Sequence, residues 1–182
     1  GIAKRFGGVR AIRNADMTVT RGEVHALVGE NGAGKSTLIK ILSGAESPDA
    51  GSVAIDGAEV RLGSPSDAIG LGIATVYQEA QLFPELTVAG NIYLGRGIRR
   101  GGRIDWAGQN GEVVELLARM ELPAKYATRK VADLSAAQQQ QVSIAKALSQ
   151  NAKVLILDEP SAILTGAEIE VLFRAIRRLT SE

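Results

Sequence analysis

The chain has no cysteine, which excludes disulfide bridges and thiolate metal sites and suits a reducing compartment. It has no excess of one charge: 21 basic and 20 acidic side chains leave a formal net charge of +1. A nucleic-acid binder usually shows a basic surplus or cluster, so no nucleic-acid partner is expected. Only Arg96, Arg99, Arg100 and Arg103 hint at a cluster, and the glycines among them read as a solvated, flexible loop. No apolar run approaches the roughly 20 residues that span a bilayer, no signal peptide is visible, and no internal repeat occurs. Any membrane association is therefore expected to come through a partner. Histidine is nearly absent as well, and the single His25 reads as a satisfied strand residue. What remains is an ordinary globular composition, 182 residues that are 45% hydrophobic and 23% charged, enough for one sizeable core.

The most informative stretch is G-E-N-G-A-G-K-S-T: Gly29, Glu30, Asn31, Gly32, Ala33, Gly34, Lys35, Ser36 and Thr37. It fits the phosphate-binding pattern G-x-x-x-x-G-K-[ST], which binds a nucleoside triphosphate with magnesium. Gly29, Gly32 and Gly34 permit backbone conformations in which successive N–H groups curl around a phosphate. A helix opening near Lys35 adds its positive dipole end. Lys35 is expected to reach the β- and γ-phosphates and Ser36 to take one magnesium position. The context agrees, with residues 23–28 reading as a buried strand and residues 38–42 as a helix stopped near Gly44.

Elements alternate along the rest of the chain. Asp56-Gly57 between two short apolar runs reads as a hairpin turn, and Ser64-Pro65 as a capped helix start. Residues 72–77 read as a strand. Val113, Leu116, Leu117 and Met120 share one helical face, as do Val142, Ala145 and Leu148 in a helix starting after Ser135. The continuous apolar run at residues 154–157 is expected to be a central parallel strand covered on both faces. Thr165 and Glu168 form a capping box for a last helix whose stripe is Ile169, Leu172, Phe173, Ile176 and Leu179. The sum is an α/β fold, a parallel sheet with crossover helices, an early antiparallel patch and a mostly helical middle.

The run at residues 154–157 leads into Asp158-Glu159-Pro160. An acidic residue at the C-terminal tip of a parallel strand lies where ligands bind in open α/β sheets. Asp158 can face the magnesium held by Ser36, and Glu159 can polarise a water for attack on the γ-phosphate. The plainer possibility is that both merely cap and solvate a strand end.

Taken together, these residues resemble an ATP-binding cassette (ABC) domain, the motor of a membrane transporter. Four segments stand in that family's order: the G-E-N-G-A-G-K-S-T loop, Val76-Tyr77-Gln78-Glu79, Leu134-Ser135-Ala136-Ala137-Gln138 and Leu157-Asp158-Glu159-Pro160. Within the family the chain looks most like the first cassette of bacterial simple-sugar importers, on the strings G-I-A-K-R-F-G-G-V-R-A-I, L-S-A-A-Q-Q-Q-Q-V-S-I-A-K-A-L and L-D-E-P-S-A-I-L-T-G-A-E. The resemblance implies a P-loop NTPase fold of RecA-like type, with a core at 1–78 and 152–182 and a helical subdomain at about 79–151. It implies ATP and Mg2+ as ligands and hydrolysis coupled to sugar import. The implied partners are a second cassette, an integral membrane permease and, indirectly, an external sugar-binding protein, at the cytoplasmic face of the membrane.

Site roles follow from the same resemblance. Phe6 matches the aromatic that stacks on adenine, although a core phenylalanine would look the same in sequence. Gln78 matches the glutamine that touches magnesium or the attacking water and senses the permease, and Ser135, Ala137 and Gln138 match the signature that binds the γ-phosphate held by the opposite cassette. Glu159, Gln78 and Lys35 are the catalytic candidates, and Ser36, Gln78 and Asp158 the metal candidates. Two departures stand out. Ala136 and Ala137 replace glycines, so their methyls restrict close approach to a phosphate. The family's next strand and switch histidine have no counterpart, so the chain reads as a fragment of a longer, two-cassette protein. Rivals are a nucleotide-binding module with little turnover and a cassette of DNA repair or translation.

Overall fold

A computed structural model describes residues 1–160 and 164–181 of the protein; residues 161–163, part of the last sugar-type string, lie outside that range. The chain opens with an antiparallel hairpin, β1 Ile2–Phe6 and β2 Val9–Ala15. Ile2 and Ile12 of the hairpin bury against Leu38 and Ile41 of helix α1, Lys35–Leu42. That small core fixes the phosphate-loop helix to β2.

A second hairpin, β3 Val53–Ile55 and β4 Ala58–Val60, turns at Asp56-Gly57 as the dipeptide predicts. Helix α2, Pro65–Gly70, starts where expected: the Ser64 hydroxyl accepts from the Asp67 N–H, and proline takes the first turn, where its missing N–H costs nothing. Strand β5, Ile73–Val76, follows. Helix α3, Val88–Ile92, is capped by Thr87. A short hairpin, β6 Arg99–Arg100 with β7 Arg103–Ile104, then leads into helix α4, Trp106–Arg119. The arginine stretch is thus a paired ribbon rather than a flexible loop.

Helix α5, Ala136–Leu148, strand β8, Val154–Leu157, and helix α6, Gly166–Ser181, complete the fold. At α6, Glu168 Oε2 accepts from both the Thr165 N–H (2.8 Å) and the Thr165 hydroxyl (2.7 Å), so the carboxylate half of the expected capping box forms. β5 and β8 pair in parallel with Val76 opposite Leu157. The largest core gathers Ala74 and Val76 of β5, Val88 and Ile92 of α3, Val113 and Leu117 of α4, Val142 and Ile144 of α5, and Leu172 and Ala175 of α6. Burial of apolar surface contributes roughly 25 cal/mol per Å2, and this five-element cluster holds more buried side chains than either of the other two clusters.

Two further expectations are corrected. Residues 23–28 form no strand, and Val24 and Val28 stand 66% and 87% exposed. A strand needs a neighbour for its N–H and C=O groups, and among the described residues none lies alongside. The segment's start is drawn into a local ring instead: Glu23 accepts from the Thr20 N–H (2.8 Å) and hydroxyl (2.6 Å) and meets His25 Nδ1 at 3.0 Å. Those bonds, Thr20 first, hold the Glu23 carboxyl down at about 2. His25 is therefore partnered, but not in a strand. The second correction concerns β8, which pairs with β5 alone among the described residues and so is not central; its two faces are covered as expected, Leu155 and Leu157 packing on the main core and Ile156 on the cluster of Leu62, Ala68 and Ile73.

Candidate functional site

The phosphate loop takes the shape its glycines allow. Gly32 and Gly34 have φ of 84° and 94°, whereas Gly29 has no left-handed backbone and serves by closeness: a Cβ there would lie 3.3 Å from that of Ala33. Gly34 caps α1 without a side chain, and a Cβ on it would lie 2.5 Å from the Ala11 carbonyl oxygen of β2. The first turn of α1 thus keeps free N–H groups pointing at a cradle, the condition for anion binding. Lys35 Nζ donates to the carbonyls of Gly29 (2.5 Å) and Glu30 (2.9 Å), folding over the loop. No carboxylate pairs with it among the described residues. Ser36 is exposed and Thr37 half-buried, while Asn31 and Ala33 stand at the surface. A cavity of about 390 Å3 lies between the loop and β2, lined by Arg10, Arg13, Gly34 and Lys35 among others, with no acidic side chain.

Phe6 ends β1 and is 44% exposed, which removes the reading of it as a core residue. Lys4 Nζ lies 5.3 Å from its ring centre, so one face already meets a cation.

Parallel pairing of β5 with β8 brings Gln78, Asp158 and Glu159 to the same sheet end, immediately beyond the Val76–Leu157 pair. The Asp158 N–H donates to the Val76 carbonyl (2.9 Å), continuing the ladder and fixing the turn-off of the chain. Glu159 adopts φ of 47°, a left-handed conformation unusual for a residue with a side chain, and is exposed. Such strain is retained where the surroundings over-determine it, often at functional sites.

Ser135 caps α5 in a complete capping box: its hydroxyl accepts from the Gln138 N–H (3.3 Å), and Gln138 Oε1 accepts from the Ser135 N–H (3.0 Å). Gln138 Nε2 donates to the Tyr126 hydroxyl (2.8 Å), so its amide is committed within the chain. Ser135 and Ala136 are exposed, whereas Ala137 is 8% exposed and belongs to the interior. Of the two alanines, only Ala136 therefore has its methyl at the surface.

Three polar residues that the sequence reading passed over brace these segments. Gln140, 1% exposed, donates from Nε2 to the Tyr77 carbonyl (3.4 Å), linking α5 to the residue before Gln78. Asn91, fully buried, accepts from the Phe83 N–H (2.7 Å) and donates to the Phe83 carbonyl (2.9 Å), pinning the stretch after Gln78 to α3. Tyr126 anchors Gln138. The signal for Asn91 was present, an amide on an otherwise apolar helical segment; Tyr126 and Gln140 offered none.

The profile of the ABC transporter family matches residues 12–162. The chain belongs to that family. As an ABC chain it is 53% identical over 182 residues to a ribose import ATP-binding protein of Streptomyces avermitilis, which it covers to 35%. A ribose import ATP-binding protein of Rubrobacter xylanophilus is 52% identical and covered to 36%. A putative ribose/galactose/methyl galactoside import ATP-binding protein of Burkholderia cenocepacia is 50% identical and covered to 35%. The whole chain thus spans about a third of these curated relatives. Among solved structures, an ABC transporter cassette in its ADP conformation superposes with a TM-score of 0.83 at 26% identity, over 99% of this chain and 74% of that one. A dimeric cassette bound to ADP and Pi gives 0.81 at 27%, over 98% and 79%. The expected P-loop cassette fold is therefore the observed one.

Proposed function

We propose that this chain is the ATP-binding and ATP-hydrolysing cassette of a simple-sugar importer. It would work at the cytoplasmic face of the membrane beside an integral permease and a second cassette, with an external sugar-binding protein as indirect partner. The observation that carries the reading is Lys35, a half-buried cation over a glycine cradle with no carboxylate to neutralise it among the described residues. A triphosphate supplies that missing charge. Ribose import by the relatives favours a sugar as cargo.

In this reading Lys35 and the α1 N–H groups bind the β- and γ-phosphates, and Phe6 stacks on the adenine. Ser36, Asp158 and Gln78 hold Mg2+, which neutralises charge on the phosphate oxygens when bound. Gln78 orients the attacking water and Glu159 accepts its proton, while the bond from the γ-phosphorus to the bridging oxygen breaks to leave ADP and phosphate. Ser135 presents its hydroxyl to the γ-phosphate of the opposite cassette, with Ala137 and Gln138 shaping and positioning the helix start behind it. We assign 1–78 and 152–182 to the nucleotide core and about 79–151 to the helical subdomain. ATP favours the closed pair because its γ-phosphate bridges both halves, and ADP cannot.

Titration with a fluorescent ATP analogue and magnesium tests the site directly. Lys35→Ala is expected to weaken binding at least 100-fold while the fold, followed by circular dichroism, is unchanged; equal affinity would overturn the reading. A second reading, a cassette that binds nucleotide without useful turnover, is favoured by the exposed Ala136 methyl. Single-turnover hydrolysis separates the two.

A further inference from the structure

The β6–β7 ribbon carries an arrangement that the nucleotide site does not use. Gly101 and Gly102 both have positive φ, 58° and 80°, the two-residue turn that matches the twist of a hairpin. That turn sets Arg100 directly opposite Arg103, and Arg99 opposite Ile104. Like charges facing each other across a ladder are destabilising. All three arginines are exposed, and none forms an ion pair among the described residues. The fold therefore holds exposed cations together on one ribbon, a surface that attracts an external anion.

The ribbon is also held in place. Gln109, 2% exposed on α4, accepts the Ile98 N–H (3.0 Å), and the Asp105 N–H donates to the Ile98 carbonyl (2.8 Å). Asp105 in turn caps α4 through the Gly108 N–H (2.9 Å). Next to the arginines stand two apolar side chains that the core leaves outside, Ile104 at 42% exposure and Trp106 at 57%. Arginines beside an exposed tryptophan suit a lipid headgroup region, where the cations meet phosphates and the indole lies between water and chain. A nucleic-acid surface is disfavoured by the near-zero charge of the whole chain.

We infer that the Arg99–Arg100/Arg103–Ile104 ribbon, with Trp106, is a docking surface for anionic phospholipid headgroups. It adds a direct lipid contact to the membrane location proposed above, yet it makes no use of the nucleotide site. Each arginine contributes about fivefold to binding an anionic surface.

Trp106 is the only tryptophan, so its emission reports this surface alone. The protein is titrated with phosphatidylglycerol vesicles and with phosphatidylcholine vesicles. Expected is a blue shift and co-sedimentation with phosphatidylglycerol only, weakening as salt rises. The combined variant Arg99→Gln, Arg100→Gln, Arg103→Gln is expected to partition about 100-fold more weakly, and the matching Arg→Lys variant to retain binding. Equal partition of the glutamine variant, equal binding to phosphatidylcholine, or binding to an oligonucleotide without binding to vesicles would each overturn the inference. ATP titration of the glutamine variant separates the two proposals. Lost vesicle binding with unchanged nucleotide affinity is the expected result, whereas a parent protein that binds vesicles but no nucleotide overturns the cassette reading alone.

Discussion

Gln138 Nε2 donates a 2.8 Å hydrogen bond to the hydroxyl of Tyr126, twelve residues earlier in the chain. The same amide closes the capping box on Ser135 through its oxygen. One side chain thus sets the start of α5 against the 3-10 turn Ala124–Tyr126 and holds Ser135 where its hydroxyl meets solvent. Tyr126→Phe is expected to cost about 1 kcal/mol, the usual net worth of a partly buried hydrogen bond, and Gln138→Leu about 2 kcal/mol because the bond from the Ser135 N–H to the Gln138 side chain is lost as well. Urea unfolding of both single variants and the double variant measures the coupling. The double variant should cost about 1 kcal/mol less than the sum of the two; strict additivity would mean the bond contributes nothing.

Features decided by residues adjacent in sequence were legible beforehand. The phosphate loop, the Asp56-Gly57 turn and the Ser64-Pro65 helix start follow from local sterics and hydrogen bonding, so their sequence signals are nearly sufficient. Residues 23–28 show the opposite case. Their apolar content describes a strand, but strand formation depends on a partner elsewhere in the chain, and no local signal states whether one is present. Gln140 reaches Tyr77 across 63 residues and is invisible for the same reason. The arginine ribbon was misread because Gly101-Gly102 suggests looseness, whereas two adjacent glycines with positive φ are what a tight hairpin turn requires. At the candidate site, the sequence supplied the residue types, and the parallel register of β5 and β8 supplied the shared sheet end beyond which Gln78, Asp158 and Glu159 follow.

Tyr93 gives a prediction in alkaline solution. Burial, then its hydrogen bond to the Glu112 carboxylate, pushes the phenol up to about 12, with Arg96 opposing from 5.9 Å over the ring. The folded state therefore holds the proton more tightly than the unfolded chain, where tyrosine titrates near 10. The corresponding stability is present below pH 10 and is lost as pH rises from about 10 to 12. Absorbance at 295 nm should show one phenol titrating near 12, and Tyr93→Phe should abolish that phase. The same variant should flatten the fall in melting temperature across this window; an unchanged fall would assign it to another group.

Glu159 combines two demands that substitutions can separate. Its backbone sits at φ of 47°, which costs a residue with a Cβ about 1 kcal/mol relative to glycine. The residue follows β8 at the sheet end beyond which Gln78 also lies, and under the proposed function its carboxylate accepts the proton of the attacking water. Glu159→Gln keeps the backbone cost and removes the basicity, so ATP affinity and stability should match the parent while hydrolysis falls at least 100-fold. Glu159→Gly removes both, so it should be as inactive as the glutamine variant and more stable by about 1 kcal/mol. Single-turnover hydrolysis and urea midpoints, measured on the two variants side by side, read the two effects independently. Parental hydrolysis by the glutamine variant would remove Glu159 from the chemistry. A glycine variant no more stable than the parent would show that the left-handed conformation carries no strain, and the catalytic assignment would then rest on the position of the carboxylate alone.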